Sequence, residues 1–273
     1  MIEDITKNLI NLKKEFAKLY DGKSQIQEII PVLKSESFPI IQKDLDLLHK
    51  FAEKNPIYYN FYEKLIGNTN CIVYEGDINK YWLNSIQYGS SHAPFSPTWI
   101  MSAYVGVLYA KELGYQEIID IGSGDGRIAF CAKVLGLESY SIEIDSMLVE
   151  LQKLLTFLDF HLYCSDATLF DYSSLSLLRP IFFIGGLAQM GGTTLASGVL
   201  DKINSIPNLK KNTGWVFAGS YSQKYQPDPK NEAGWGTLIE KNDLHSTHTL
   251  SLPTAWTFHE PDETPYIFAK SNI

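Results

Sequence analysis

Residues 117–127 read Glu-Ile-Ile-Asp-Ile-Gly-Ser-Gly-Asp-Gly-Arg. The first five are a short β-branched run of strand character, after which glycine occupies every second position, at Gly122, Gly124 and Gly126. From Arg127 the apolar spacing changes to that of a helix running to residue 135. Strand, glycine turn and helix start follow one another without a break. Such a turn brings the backbone close to a ligand and aims the first helical N–H groups at the same space. An α/β fold with a ligand site at the strand end is the direct implication.

Working outward, 99–113 reads as a helix ended by Gly114, and strands are predicted at 140–144, 160–164, 180–184 and 215–218. Helical spacing separates them at 146–158 and 195–203. Strands alternating with helices mean βαβ units and a parallel sheet. The strand-like runs 244–250 and 266–269 fit a closing antiparallel pair. Toward the N-terminus, steps of three and four residues predict helices at 5–19, 26–33, 40–51 and 56–66, so an all-helical segment is expected there. The polar stretch Gly67-Asn68-Thr69-Asn70 closes it, and Cys71 to Tyr74 suit a small strand. The expected division is an N-terminal helical domain at 1–70 and a catalytic domain at 71–273.

The chemistry of the loop follows from its spacing and its acids. A dinucleotide fingerprint needs G-x-G-x-x-G, but its third glycine position is Arg127, and the loop reads G-x-G-x-G. Asp120 and Asp125 would also repel a pyrophosphate. The cofactor wanted here carries positive charge, and S-adenosyl-L-methionine offers a sulfonium, an ammonium and two ribose hydroxyls to carboxylates. Glu143 stands at the end of the second strand, at the ~20-residue offset where an acid accepts from ribose hydroxyls. Asp166, in Cys164-Ser165-Asp166-Ala167, is placed to accept from the adenine amino group. Three acids at three successive strand ends form one rim.

Asp120 to Gly126, Ser141-Ile-Glu-Ile-Asp145 and Ser165-Asp166-Ala167 together resemble the first three motifs of class I S-adenosylmethionine-dependent methyltransferases. The resemblance covers roughly residues 95–220 and implies a Rossmann-like fold: a mainly parallel seven-stranded sheet with helices on both faces. By it, Asp120, Gly122 and Gly124 face the methionine part, Glu143 holds the ribose and Asp166 reads adenine, with Ser123, Gly126, Ile144 and Ala167 in the same cofactor site. Tyr88-Gly89 and His92-Ala-Pro-Phe-Ser-Pro97, followed by the glycine loop, are more weakly similar to non-SET protein-lysine methyltransferases. After the fourth strand, enzymes that methylate base or glutamine amino groups carry Asn/Asp-Pro-Pro-Tyr/Phe. Here the chain has Ile184-Gly-Gly-Leu-Ala-Gln-Met-Gly-Gly192, which disfavours those acceptors and offers no identifiable catalytic base.

Composition bounds the partners. The net charge of −8 argues against nucleic acid, which is held mainly by clustered Lys and Arg. Cys71, Cys131 and Cys164 show no C-x-x-C spacing, so reduced, buried thiols in a soluble cytoplasmic protein are expected. No metal is expected either, since His245, His248 and His259 lack a supporting acid or thiol pattern. A lysine acceptor costs about 4–5 kcal/mol to deprotonate at pH 7 and so needs a desolvating channel or a base. Tyr88, His92, Phe95, Tyr221 and Trp256 are candidate linings. Three readings stay open: a protein methyltransferase acting on lysine, a small-molecule O- or N-methyltransferase with the N-terminal helices as a lid, and a non-catalytic S-adenosylmethionine-binding interaction protein.

Overall fold

The computed structural model describes residues 2–85, 94–155, 157, 159–186, 192–219, 234–254 and 263–272. Its larger sheet has seven strands: β4 (Glu117–Ile121), β5 (Glu138–Glu143), β6 (His161–Cys164), β7 (Pro180–Gly185), β8 (Gly214–Ala218), β9 (Leu244–Pro253) and β10 (Glu263–Ser271). Their order is β6-β5-β4-β7-β8-β10-β9. The five strands from β6 to β8 pair in parallel, and β10 runs antiparallel to both β8 and β9. This is the expected Rossmann-like sheet with its closing antiparallel pair. From β4 the chain winds outward to β5 and β6, then crosses back to β7 and β8 on the other side. The crevice at the C-terminal end of β4 is therefore the topological switch point, where open α/β sheets bind ligands.

Alternation along the strands divides the core. Ile119, Ile121, Ile142, Phe182 and Ile184 face one layer, which holds α7 (Gly192–Asn204), α8 (Pro207–Asn212) and α9 (Gly236–Lys241). Ile118, Ile181, Phe183 and Val216 face the other, shared with α4 (Ile100–Glu112), α5 (Arg127–Val134) and α6 (Ser146–Leu155). Strand residues paired in a parallel ladder point to the same face, so Asp120, opposite Ser141, and Glu143, opposite Cys164, share this second side.

The N-terminal segment departs from expectation. Helices α1 (Ile2–Leu19) and α2 (Gln42–Lys54) form as predicted, but 26–33 and 56–66 are not helical. They carry strands β1 (Ile26–Pro31) and β2 (Tyr58–Ile66), which flank β3 (Thr69–Gly76) in an antiparallel sheet of order β1-β3-β2. A two-residue turn at Gly67-Asn68, with Gly67 at φ 56°, joins β2 to β3. Lys64 on β2 donates to the carbonyl of Leu19 at the end of α1, and His49 on α2 bonds the Tyr74 hydroxyl of β3. The sheet crosses the expected boundary at residue 70. One continuous apolar cluster joins Ile5, Phe16, Ile29 and Val73 to Trp99, Val105 and Phe130, so the N-terminal part shares its core with the large sheet.

Among the described residues no helix is long and apolar enough to cross a membrane, and no three His, Cys, Asp or Glu side chains are arranged to hold a metal. Cys71 and Cys131 are buried as expected. Cys164 is exposed, because it ends the edge strand β6 rather than filling core space.

Candidate functional site

The turn after β4 is built by its glycines and by what surrounds them. Gly122, Gly124 and Gly126 all lie at positive φ (62°, 59° and 77°), a region that side chains with a Cβ resist. Ligand approach is not the only reason for glycine here. A Cβ on Gly124 would lie 2.7 Å from the ring of Phe95, and one on Gly126 would lie 2.7 Å from Oε1 of Gln152. Phe95, a sequence candidate for the acceptor channel, is thus buried over the loop and stacks edge-on with Tyr81.

The loop amides are largely committed. Gly122 and Ser123 donate to the carbonyl of Ile142, Gly126 donates to that of Ser123, and Gly124 donates to Oε2 of Glu143 at 2.8 Å. From below, Gln152 on α6 donates to the Gly124 carbonyl and to Ser123 Oγ, while Ser141 donates to Gln152 Oε1 and shares a hydroxyl–hydroxyl bond with Ser123. The side chain of Ser123 is therefore structural. At the start of α5, where free N–H groups were expected to face a ligand, Gly126 provides no capping side chain and the Ala129 amide bonds the Asp120 carboxyl instead.

What remains available is mostly acceptor capacity. Asp120 is buried and its Oδ2 has no hydrogen-bond partner. Burial first, then the nearby Glu143 and Asp125, hold its carboxyl up at about 8. Glu143 accepts from the amides of Gly124 and Asp145, one on each oxygen, and the Ile144 amide adds a third backbone donor, so the carboxyl keeps acceptor capacity for one further bond to a ligand hydroxyl. Burial pushes its carboxyl up as well. Asp145 caps α6 by accepting from the Met147 amide. Asp166 is half-buried, and its Oδ1 is held by the amide and hydroxyl of Thr168. Ala167 is buried beside it, with its carbonyl bonded by Tyr172, and Ile144 is half-buried after Glu143.

Asp125 was expected to confront the ligand, and the structure places it elsewhere. It is 1% exposed and gripped by Arg127, with Nε to Oδ1 at 2.8 Å and Nη2 to Oδ2 at 2.5 Å. Asn55, at the C-terminal end of α2, also donates to its Oδ2. Arg127 Nη1 continues to Glu28 Oε1 on β1 at 2.5 Å and to the Thr98 carbonyl. Glu28 in turn accepts from Tyr58 Oη and from the Ile100 amide, both at 2.9 Å. Breaking one partner out of a buried pair of this kind costs about 3–5 kcal/mol. Sequence reasoning missed Glu28, Asn55 and Tyr58, which lie in or beside segments expected to be helical. The phosphate-repelling charge assigned to Asp125 is neutralised by Arg127, and the argument against pyrophosphate passes to Asp120, Glu143 and the committed amides.

The donor and acceptor inventory fits S-adenosyl-L-methionine. Buried carboxyl oxygens at the ends of β4 and β5 suit a cation and ribose hydroxyls, and the described loop presents no basic side chain left over for phosphate. Tyr88, Gly89, His92, Leu187 to Gly191, Tyr221, Trp256 and His259 lie outside the described residues, so the expected acceptor channel is represented only by Phe95.

No protein-family model and no curated protein matches the chain. Solved methyltransferase structures are similar to part of the chain. A putative RNA methyltransferase from Pyrococcus horikoshii is 14% identical, with 63% of this chain and 85% of that one covered at a TM-score of 0.46. The ribosomal protein L11 methylase from Lactobacillus delbrueckii subsp. bulgaricus is 14% identical over 63% and 78% of the two chains, at 0.41. Magnesium protoporphyrin IX methyltransferase from Synechocystis PCC 6803 is 12% identical over 63% and 78%, at 0.43.

Proposed function

We propose that this chain is an S-adenosylmethionine-dependent methyltransferase whose cofactor lies on residues 120–126 between Glu143 and Asp166, and that its acceptor is a protein lysine. One observation carries the cofactor reading: at the switch point the amides of Gly122, Ser123, Gly124 and Gly126 are committed to protein acceptors, while the Asp120 Oδ2 has no partner and Glu143 keeps acceptor capacity. A site of carboxyl oxygens that accept hydrogen bonds, and whose Asp120 ionises when a cation lies beside it, selects a cationic, hydroxyl-bearing ligand over a phosphate. The bound cofactor supplies an electrophilic methyl group. Asp120 faces its cationic amino-acid end, Glu143 orients the ribose and Asp166 reads adenine. The protein's contribution to transfer is alignment, which can supply about 7–11 kcal/mol.

The lysine acceptor draws support from the weaker motif similarity and from the net charge of −8, which favours encounter with a basic segment. A hinged lid over a small molecule fits less well, because Glu28 bonds the N-terminal sheet into the base of the loop. Calorimetric titration with S-adenosylmethionine, with Glu143→Ala alongside and NAD as control, tests the cofactor. Binding to the wild type that the variant weakens supports it; no binding, or a preference for NAD, overturns it. Radiolabelled methyl transfer to lysine-containing proteins, compared with the same proteins after reductive methylation of their lysines, then tests the acceptor.

A further inference from the structure

We infer that Glu28, far upstream in the N-terminal sheet, is a positioning residue for the cofactor site, acting through Arg127 and Asp125 on Gly124 and Glu143. The inference rests on the reading that the cofactor lies on this loop. Each link is a hydrogen bond or a peptide bond. Glu28 holds Arg127, Arg127 holds both oxygens of Asp125, Asp125 sits between Gly124 and Gly126, and the Gly124 amide holds Glu143.

The loop needs an outside constraint. Glycines at positive φ relax sterics but do not select one conformation, since glycine populates both signs of φ. Side chains must therefore set the geometry. Gln152 holds the Gly124 carbonyl from one side, and the Asp125 carboxylate holds the loop from the other. The second anchor depends on the N-terminal segment, because the groups that fix the Arg127–Asp125 pair include Glu28 on β1, Tyr58 on β2 and Asn55 after α2. Glu28 also bonds the Ile100 amide, which ties the same acid to the first turn of α4. The N-terminal sheet is thus part of the cofactor site's mounting.

The test is calorimetric binding of S-adenosylhomocysteine to the full chain, with hydrogen exchange over residues 120–127 and thermal melting as companion measurements. Three variants are compared with wild type: Glu28→Gln, Asn55→Ala, and the triple Glu28→Met/Asp125→Asn/Arg127→Met. In the triple variant the buried ions give way to uncharged groups of similar volume, a change that often preserves stability. A purely structural role predicts wild-type affinity wherever the melting temperature is kept. Positioning predicts binding weaker by about tenfold or more, the loss of one hydrogen bond to a charged group, with faster exchange in the loop even in variants that melt normally. If Glu28→Gln does not fold, Asn55→Ala decides, since it removes one bond to Asp125 and, apart from that, only the local bond from the Ile57 amide. Affinities within twofold of wild type in the folded variants overturn the inference. Absence of binding to wild type overturns the cofactor reading itself and this inference with it.

Discussion

The amide of Gly124 donates to Oε2 of Glu143 at 2.8 Å, so the acid proposed to hold the ribose also fixes the glycine loop. Each ribose hydroxyl bonded to this charged acceptor is worth about 1.5–3 kcal/mol. Glu143→Ala removes the ribose contact and the loop anchor, and binding of S-adenosylmethionine is expected to fall by about a hundredfold or more. Calorimetry measures it directly. A loss under threefold would show that Glu143 serves only the loop.

Asp120 gives the cofactor site a pH dependence. Its carboxyl stands at about 8, chiefly because burial disfavours the charge, so in the free protein it holds its proton at pH 7. A ligand ammonium favours the ionised form. Binding at pH 7 is therefore expected to release about one proton, and affinity to rise with pH until it levels above about 8. Titrations in buffers of different ionisation enthalpy count the proton, and Asp120→Asn should abolish the release. The linkage to folding has the opposite sense. A carboxyl raised in the folded state loses stability as pH climbs from the unfolded value toward about 8, and Asp120→Asn should remove that decline. An unchanged proton count in the variant would remove Asp120 from the site.

Gly126 separates backbone strain from packing. Its φ is 77°, and a Cβ there would meet Gln152 at 2.7 Å, whereas Gly136, at φ 75°, has nothing within 4 Å. Gly136→Ala should cost about 1–2 kcal/mol from the left-handed backbone alone. Gly126→Ala should cost more, about 2–4 kcal/mol, because Gln152 is displaced from Ser123 and the Gly124 carbonyl. Urea denaturation of the two variants checks the difference. Equal losses would mean that Gln152 moves aside freely.

The large sheet was legible because β4 is a short β-branched run closed by glycines, because strand-like runs alternate with helical spacing after it, and because the acids fall at strand ends where parallel pairing brings Asp120 and Glu143 to one face. The N-terminal sheet was not, for a reason visible in β1. Ile26, Ile29 and Ile30 match a helical step, and every residue of the strand is buried, so the alternation that marks a half-exposed strand is absent. In β2, Tyr58, Phe61, Tyr62, Leu65 and Ile66 also fit helical spacing. The better signal was the run of aromatic residues leading into Gly67-Asn68, a two-residue hairpin turn. With those segments misread, Glu28 and Tyr58 had no route to the loop. Asp125 looked like a ligand-facing charge, because a contact across 99 residues to Glu28 through Arg127 leaves no local trace.

Lys13 on α1 is a charge that the fold buries at a cost. It is 1% exposed and its Nζ has no hydrogen-bond partner; the rings of Phe16 and Trp99 lie 5.8 and 5.9 Å away. Burial lowers its ammonium to about 8, against the pull of Glu28 in the other direction. Glu28 shares Arg127 with Asp125, and no hydrogen bond joins it to the Lys13 ammonium. Lys13→Met keeps the volume and removes the desolvation penalty, and is expected to stabilise the chain by about 1–3 kcal/mol at pH 7. The sign of the pH effect follows from the lowered value. Between about 8 and 10.5 the unfolded chain holds the lysine proton and the folded chain does not, so wild-type stability rises with pH relative to the variant. The advantage of Lys13→Met should therefore shrink on going from pH 7 to about pH 10. Urea midpoints of both proteins at the two pH values decide it. A variant that is less stable at pH 7 would mean that the ammonium has a partner whose loss outweighs the relief of its burial.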